Sequence, residues 1–514
     1  MENFEERQSP TPRNNGGNKR NTKKPIEKYL MPIGLALIAV LLVACIVVAS
    51  TNGAFDQMLN PTVATDPTTP PTEPPTEGTT EPPVDISALA QELISETDFI
   101  AAGYDYDKAI TMLQAFEYAD QSAEVQAKIA QYQADKAKCS RYTKMNTITH
   151  IFVHPLIVEP DRAFGAGANL PAAMNRDMTT VEEFRYLLQS MYDRGYVLVT
   201  PYQVAYEVTD ASGNAKFVEG DIYLPEGKKP FILSEDDVNY YGKWIADARK
   251  QPGQTEMDGV NNTPVFANKN GDGVASRIVI GADGKPTCEY VDRNGNTLIG
   301  EYDLVPILEA FIQEHPDFAY QGARAVLAVT GFEGVFGYRT KPGYQNNMTA
   351  EAYEKEVADA KAVVQCLKDN GWIIASHSYG HPSYGNLSAS RIKADDTKFQ
   401  NTVGSIIGEC DILIYPNGSD IAGIEKYTFD NDKFEVLYEA GYRYFFNVDG
   451  SDYWVQMGDN YYRGGRRNVD GYRMWNNPYM LDDLMDVKTI QYSSNGKLVQ
   501  KEVAGAWDTA RPAM

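Results

Sequence analysis

Three adjacent carboxylates and two closely spaced histidines are the residues of this chain best suited to chemistry. Glu235, Asp236 and Asp237 come one serine after an apolar run, FIL, that is typical of a buried strand. Charged side chains are costly to bury, so this position predicts that they meet solvent, a metal or a substrate. His377 and His381 follow the apolar segment WIIA. Two histidines at positions i and i+4 can direct both imidazoles at one ion.

These two groups could form one metal site with a base beside it. Asp236 or Asp237 would supply a third ligand from another strand end, and the carboxylate left free could act as general base toward a water molecule. The plain alternatives are an acidic turn after an edge strand and a pair of hydrogen-bonded loop histidines. The chain has only five histidines in all, and two of them lie in this one motif.

Three motifs, taken in order and context, resemble those of the NodB-homology polysaccharide deacetylases, carbohydrate esterase family 4. The segment 234–238, SEDDV, corresponds to the family's TFDDG motif. The segment 377–381, HSYGH, matches its H-S/T-x-x-H motif, and 415–418, YPNG, corresponds to RPPYG or YPYG. The resemblance spans roughly residues 146–480 and is fairly specific because the motifs occur as an ordered set.

The resemblance implies a metal centre and a catalytic base. Asp236 would be the base, while Asp237, His377 and His381 would bind a divalent ion, Zn²⁺ first, with Co²⁺ or Mn²⁺ as the other options. The ion would polarise the acetamide carbonyl of an acetylated polysaccharide.

The resemblance also implies groups that bind the substrate and protonate the departing amine. The main-chain N–H of Asn417, in the motif that begins at Tyr415, would help to bind the oxyanion. Trp454 could wall the acetyl pocket, although a position in the core fits the sequence equally well. Most members of the family have their general-acid histidine after the HSxxH motif, but in this chain no histidine follows that motif. A circularly permuted branch of the family has this histidine near the start of the domain, in a YHxV-like motif. The segment FVHPLI resembles that motif, so His154, rather than His150, is the expected general acid.

Two departures from the family motifs affect the expected base. Glu235 replaces the aromatic residue of the first motif, and its charge is expected to raise the pKa of Asp236. The third motif lacks its Arg, which orients the base in many members. Arg339, Arg466 or Arg467 could substitute for it.

Short apolar strands alternate with amphipathic helices from about residue 146, which predicts an α/β fold, either a β/α barrel or a doubly wound sheet. The resemblance implies a distorted (β/α)7-type barrel. A capping box at 180–183 opens one helix, and another spans 349–370. Turn-rich residues 241–303 predict inserted β-hairpins. The predicted strands are Thr149–Val153, Val197–Thr200, Phe231–Leu233, Ala325–Val329, Trp372–Ala375, Ile412–Ile414 and Tyr442–Val448.

The first part of the chain predicts a membrane anchor. Residues 1–28 carry seven Lys/Arg against four acids, and residues 29–50 contain an apolar run long enough to span a bilayer as one transmembrane helix. The positive-inside rule places the basic tail in the cytoplasm and the rest outside the cell. A lipobox ending at Cys45 is a minor alternative. Residues 51–86 form a Pro/Thr-rich linker, 87–140 a helical hairpin, and 141–514 the deacetylase-like domain.

Composition narrows the functional classes. The net charge of −23 disfavours nucleic acid as a partner, and five scattered cysteines form neither a disulfide framework nor a zinc motif. The sequence therefore predicts a membrane-anchored, extracellular, metal-dependent deacetylase that hydrolyses N-acetyl groups of amino sugars in peptidoglycan or an exopolysaccharide. Its oligomeric state is open. The alternatives are a non-catalytic carbohydrate-binding or wall-binding protein on the same fold, and a glycosidase that uses Glu235 and Asp236.

Overall fold

The structure is a computed structural model that describes residues 85–165, 168, 170–242, 244, 255–257, 264–266, 271–346, 348–448, 454–487, 490–492 and 498–500. The predicted basic tail, the transmembrane helix with Cys45, and all but the last two residues of the predicted linker lie outside these residues. Within them, no helix has both the length and the apolar character required to cross a bilayer.

Seven parallel strands in the described part of the chain close into a barrel. The strands are β1 (Thr149–Val153), β2 (Lys229–Glu235), β3 (Val326–Val329), β4 (Ile373–Ser376), β5 (Ile412–Ile414), β6 (Tyr444–Val448) and β7 (Tyr462–Asn468). Their order around the barrel is β3–β4–β5–β6–β7–β1–β2, and β2 pairs back onto β3. The predicted (β/α)7-type barrel is therefore confirmed.

The barrel is distorted at β2, because one edge of that strand is shared. Its first residues pair with the short parallel strand Tyr196–Leu198, and its last two, Ser234 and Glu235, pair with β3. The other edge of β2 pairs with β1 over five residues. A further strand, Val455–Met457, lies antiparallel to β7.

Alternating strand residues of the barrel enter different cores. Ile232, Ala328 and Phe446 pack with one another in a cluster to which most of the barrel strands contribute. Their sequence neighbours Leu233 and Val329 pack instead against the surrounding helices. Side chains of a strand alternate between its two faces, so residue parity decides which core each side chain enters.

Helices cover the barrel and connect its strands. Thr180 and Glu183 form the predicted capping box at the start of Val181–Asp193, and the helix predicted at 349–370 is Ala350–Asp369, capped by Thr349. The other connecting helices are Leu304–Glu314, Ala389–Thr402 and Asp432–Glu439, and the short ones are Pro160–Phe164, Pro171–Asp177, Pro201–Val204, Gly404–Ile407 and Gly471–Asn476.

The segment predicted as a helical hairpin contains one helix more than expected. Within the fully described residues 85–142, three helices form, Ile86–Ala102, Tyr106–Gln114 and Ala123–Lys136. Asp105 and Ser122 cap the second and third helices, and their caps mark the two turns.

Antiparallel ribbons are found in the region of the predicted insertion. Arg277–Ile280, Pro286–Val291 and Thr297–Gly300 form a three-stranded sheet, and Thr255–Met257 pairs with Pro264–Phe266. The remaining ribbons join Ala205–Thr209 to Ala215–Glu219, Ser140–Arg141 to Tyr223–Leu224, and Ile490–Tyr492 to Leu498–Gln500.

Candidate metal centre and active site

A cavity of about 380 Å³ lies where the carboxyl ends of β1, β2, β4 and β5 meet. This is the end of a parallel barrel at which side chains from different strands converge. Seven of the eight predicted site residues line it, namely His154, Asp236, Asp237, His377, His381, Tyr415 and Asn417. Apolar side chains form much of the remaining wall, including Phe152, Leu170, Met174, Met178, Trp244 and Val448.

Asp237, His377 and His381 form a compact group of possible metal ligands. One ligand atom from each lies within 4.8 Å of the others, and Asp237 Oδ1 is 3.9 Å from His381 Nε2. Nδ1 of His377 donates a hydrogen bond to the carbonyl of Ile414 at 2.9 Å, which leaves Nε2 of the neutral ring as the ligand atom. One carboxylate and two imidazoles fit a divalent ion such as Zn²⁺.

The loop that carries the two histidines is held in an unusual backbone conformation. Ser378 and His381 have positive φ angles of 63° and 51°, and the Ser378 hydroxyl accepts a hydrogen bond from the main-chain N–H of His381 at 3.0 Å. The Asp395 carboxylate accepts hydrogen bonds from the N–H groups of Tyr379 and Gly380, both at 2.9 Å. These bonds fix the direction of the second imidazole, since left-handed non-glycine residues need such support.

Asp236 is held by a buried arginine from β7. Arg466 Nη1 and Nη2 donate to the two carboxylate oxygens at 2.7 and 2.8 Å. Nη1 also donates to the Ser234 hydroxyl at 3.0 Å, and the guanidinium lies over the Phe152 ring, 4.1 Å from its centroid. Of the three arginines considered from the sequence, Arg466 is thus the one that orients Asp236.

The expected rise in the pKa of Asp236 is not found. Burial raises its pKa, but the charge of Arg466 and its two hydrogen bonds outweigh the burial and hold the pKa below its ordinary value. Glu235 contributes little because it lies on the opposite face of β2. Asp236 is consequently an ionised carboxylate next to the metal-ligand group, and its Oδ2 lies 3.9 Å from His377 Nε2.

Glu235 belongs to the helix-facing core and not to the cavity. It is fully buried near Asp303, which accepts hydrogen bonds from the main-chain N–H groups of Leu156 and Leu304 and from the Tyr240 hydroxyl. Burial and the Asp303 charge raise the pKa of Glu235 well above its ordinary value and favour its uncharged form. Glu235 and Asp236 therefore do not form a glycosidase pair across one sugar linkage.

We expect Glu235→Gln to fold with nearly wild-type stability, because an amide replaces a carboxyl group that is already neutral. Its free energy of unfolding should lie within about 1 kcal/mol of the wild type, whereas Glu235→Ala should lower the free energy of unfolding by about 2–4 kcal/mol because it leaves a cavity in the core. Urea unfolding measures both variants. A Gln variant as unstable as the Ala variant would contradict a neutral Glu235.

His154 faces the cavity with one ring nitrogen already engaged. Its Nδ1 donates to the main-chain carbonyl of Asp177 at 2.9 Å, which leaves Nε2 as the ring nitrogen that this bond does not use. His150, the rejected candidate, is buried in the barrel, where its Nε2 pairs with the Ser234 hydroxyl at 2.9 Å and its ring packs edge-on against Phe446. Burial lowers the pKa of His150 well below its ordinary value, and its role is structural.

The third motif has a buried part and an exposed part. Tyr415 is fully buried, and its hydroxyl bonds that of Tyr427 at 2.8 Å, which in turn donates to Asp420 at 2.8 Å. Asn417 is exposed at the cavity edge with a positive φ of 56°. A side chain at Gly418 would collide with Val448, because a Cβ there would lie 2.6 Å from the valine Cβ. The motif therefore anchors its own turn through Tyr415 and presents main chain to the cavity.

Trp454 is the one predicted site residue that the structure does not bring to the cavity. Its ring stacks on the guanidinium of Arg463, 4.5 Å away, beside β7. The tryptophan in the cavity wall is Trp244, which is buried against Tyr241. The sequence gives one signal for it: Trp244 follows Asp237 by only seven residues, so a tight turn after β2 returns its ring to the site.

Comparison with known proteins gives a family match over part of the chain. Residues 344–445 match the family model described as Polysaccharide deacetylase. This segment contains the HSxxH and YPNG motifs, while His154, Asp236 and Asp237 precede it. Comparison with curated proteins gives no match.

Three similar solved structures are deacetylases. The Streptococcus pyogenes deacetylase PplD in complex with acetate has 14% identity and a TM-score of 0.32, covering 66% of this chain and 97% of that one. A de-N-acetylase from Aggregatibacter actinomycetemcomitans has 13% identity and a TM-score of 0.33, covering 63% and 95%. The chitin deacetylase of the fungal pathogen Colletotrichum lindemuthianum has 14% identity and a TM-score of 0.19, covering 35% and 73%. The family match in residues 344–445 confirms the resemblance to the NodB-homology polysaccharide deacetylases that the motifs of this chain predict.

Proposed function

We propose that this protein is a divalent-metal-dependent hydrolase that releases acetate from N-acetylated amino sugars of a polysaccharide. The observation that carries the proposal is the position of Asp236, fixed and ionised by Arg466, directly beside the Asp237, His377 and His381 group. A paired base and metal-ligand set in one cavity is what amide hydrolysis requires.

The residues divide the reaction between them. Asp237, His377 and His381 would hold a divalent ion, most simply Zn²⁺ with Co²⁺ or Mn²⁺ as alternatives, whose chemistry when bound is to polarise the acetamide carbonyl. Asp236 takes the proton from the attacking water. The main-chain N–H of Asn417 stabilises the negative charge that develops on the carbonyl oxygen.

The departing amine needs a proton, and His154 is placed to give it. Its Nδ1–H is used by the Asp177 carbonyl, so the proton for the leaving group is carried on Nε2, which faces the cavity shared with Asp236. Proton transfer from His154 on one side and to Asp236 on the other completes the hydrolysis.

The proposed substrate is a cell-wall or surface polymer, peptidoglycan or an exopolysaccharide. The basic tail and apolar run predict a single-pass anchor with the catalytic domain outside the cell, and the Pro/Thr-rich linker predicts an extended spacer between membrane and domain. Acetate release from chitin oligomers, peptidoglycan and acetylated xylan tests the activity and separates amide from ester substrates.

The second candidate function is a non-catalytic carbohydrate-binding protein on the same fold. The missing Arg of the third motif would allow this function, whereas the hydrogen bonds from Arg466 to Asp236 support the hydrolase. Metal binding without acetate release from any of the three polymers would favour this candidate over the hydrolase.

We expect His377→Ala and Asp237→Ala to weaken Zn²⁺ binding by at least about 100-fold, because each removes one of three ligands and even indirect partners of a ligand contribute 10–100-fold. Titration with a chelating dye in competition measures the dissociation constant. His315→Ala is the matched control, since this imidazole stacks on Tyr192 at 4.3 Å, away from the cavity lining. Unchanged affinity in His377→Ala would contradict the proposed metal centre.

A further inference from the structure

A tyrosine outside the predicted site makes the closest contact with the proposed metal-binding carboxylate. The Tyr241 hydroxyl donates to Asp237 Oδ1 at 2.7 Å. This is the same oxygen that lies 3.9 Å from His381 Nε2. Tyr241 follows Asp237 by only four residues. Its hydroxyl reaches the Asp237 carboxylate because Asp237 and Tyr240 have positive φ angles of 60° and 48°, which turn the backbone sharply.

The phenol is itself held in place by the loop after β3. Thr330 Oγ1 lies 3.0 Å from the Tyr241 oxygen. A carboxylate can only accept, so the single hydroxyl hydrogen of Tyr241 goes to Asp237. The Thr330 hydroxyl is then the donor toward the phenol oxygen, and it shares its hydrogen with Asn239 Oδ1, 3.2 Å away. The ring is fixed as well, at 4.6 Å from Trp244 and 5.9 Å from Phe332 between centroids.

Asn239 ties this loop to the turn after β2. It is fully buried, its Oδ1 accepts the main-chain N–H of Thr330 at 2.9 Å, and its Nδ2 donates to the carbonyls of Thr330 and Phe332 at 2.9 and 3.2 Å and to that of Gly334. A continuous series of hydrogen bonds thus runs from the buried Asn239 through Thr330 and Tyr241 to Asp237.

We infer that Tyr241 is a positioning residue that orients Asp237 for metal binding. Its hydrogen bond fixes the rotation of the Asp237 carboxylate. The carboxylate therefore loses less conformational entropy when it binds the ion. The inference rests on the proposed metal-dependent function and adds to it a residue that the family motifs in the sequence do not include. Partners that hydrogen-bond a ligand typically contribute 10–100-fold to metal affinity.

Tyr241→Phe tests the inference, because it deletes the hydroxyl and keeps the ring contacts. We expect its dissociation constant for Zn²⁺ to rise about 10–100-fold, measured by competition with a chelating dye on the folded protein. Tyr240→Phe is the matched control. This neighbouring buried tyrosine loses an equivalent hydrogen bond to Asp303, 2.6 Å long, and should bind Zn²⁺ within about 2-fold of wild type, since that bond does not involve a metal ligand.

Thr330→Val is the second variant, and it decides the matter if Tyr241→Phe fails to fold. Removing the hydroxyl that holds the phenol should weaken Zn²⁺ binding by about 3–10-fold, less than loss of the phenol itself. If Tyr241→Phe folds and binds Zn²⁺ with wild-type affinity, the inference about Tyr241 is wrong and the proposed function is unaffected. If Tyr241→Phe does not fold, wild-type Zn²⁺ affinity in Thr330→Val leads to the same conclusion. A wild-type protein that binds no Zn²⁺ would instead contradict the proposed function.

Discussion

Asp236→Asn should lower the rate of acetate release by about 10²–10⁴-fold, the usual contribution of a positioned general base, while the protein retains its divalent metal. An amide has the shape of the carboxylate but cannot accept the proton of the attacking water. The metal should stay because the ligand group consists of Asp237, His377 and His381. Acetate release from an N-acetylglucosamine oligomer and metal content after dialysis are the two measurements.

A second arginine–carboxylate pair supplies the control for this variant. Arg467, next to Arg466 in β7, donates to Asp483 at 2.8 and 3.0 Å, so Asp483→Asn breaks an equivalent fork away from the cavity. It should retain wild-type turnover, even where the loss of an ion pair lowers stability. Turnover in Asp236→Asn within about 10-fold of wild type would remove Asp236 from the role of base.

The barrel could be predicted from the sequence because six of its strands are apolar. β1 and β5 have the predicted bounds, and β2, β3, β4 and β6 differ from the prediction only at their ends. The metal-ligand group could be predicted for a related reason. His377 directly follows β4, and Asp237 is the second residue after β2. Parallel strands bring their carboxyl ends to one side of the barrel, so these two side chains meet there.

The strand that could not be predicted is the one that orients the base. β7 reads YRGGRRN, with three arginines and two glycines, a composition that indicates a loop or a surface. Each of its arginines is nevertheless buried, because acceptors from distant segments surround it: Asp236 for Arg466, Asp483 for Arg467, and Asp420 with main-chain carbonyls for Arg463. Asp236 lies 230 residues from Arg466 along the chain, and Thr149, which accepts a hydrogen bond from Arg467, lies 318 residues away, beyond any local pattern.

Trp454 is a second residue whose position depends on a contact that the local sequence does not show. Its position after the sixth strand made it a candidate for the wall of the acetyl pocket, but its ring lies 4.5 Å from the buried guanidinium of Arg463. The cavity wall then takes Trp244 from the turn after β2. The strand ends thus bring seven of the predicted residues to one cavity, whereas Trp454 lies against the buried Arg463 and outside the cavity lining.

His154→Ala should lower acetate release from an N-acetylglucosamine oligomer by about 10²–10⁴-fold, because a deacetylated amine leaves poorly unless it is protonated. The loss should depend on the leaving group. With 4-nitrophenyl acetate, whose phenolate leaves without a proton, we expect the variant to fall by less than about 10-fold. The ratio of the two losses therefore reports the acid role separately from any effect of the substitution on folding or on metal content.

The geometry argues for this outcome over a purely structural histidine. A structural imidazole of this barrel, such as His150, is enclosed and bonded to a side chain of the neighbouring strand, whereas His154 is only partly buried and uses a main-chain carbonyl on one side alone. His150→Ala should consequently lower the rates with both substrates by the same factor, because it acts only through the stability of the protein. Equal losses with both substrates in His154→Ala would show that His154 acts by supporting the cavity, and the proton for the amine would then have to come from another group.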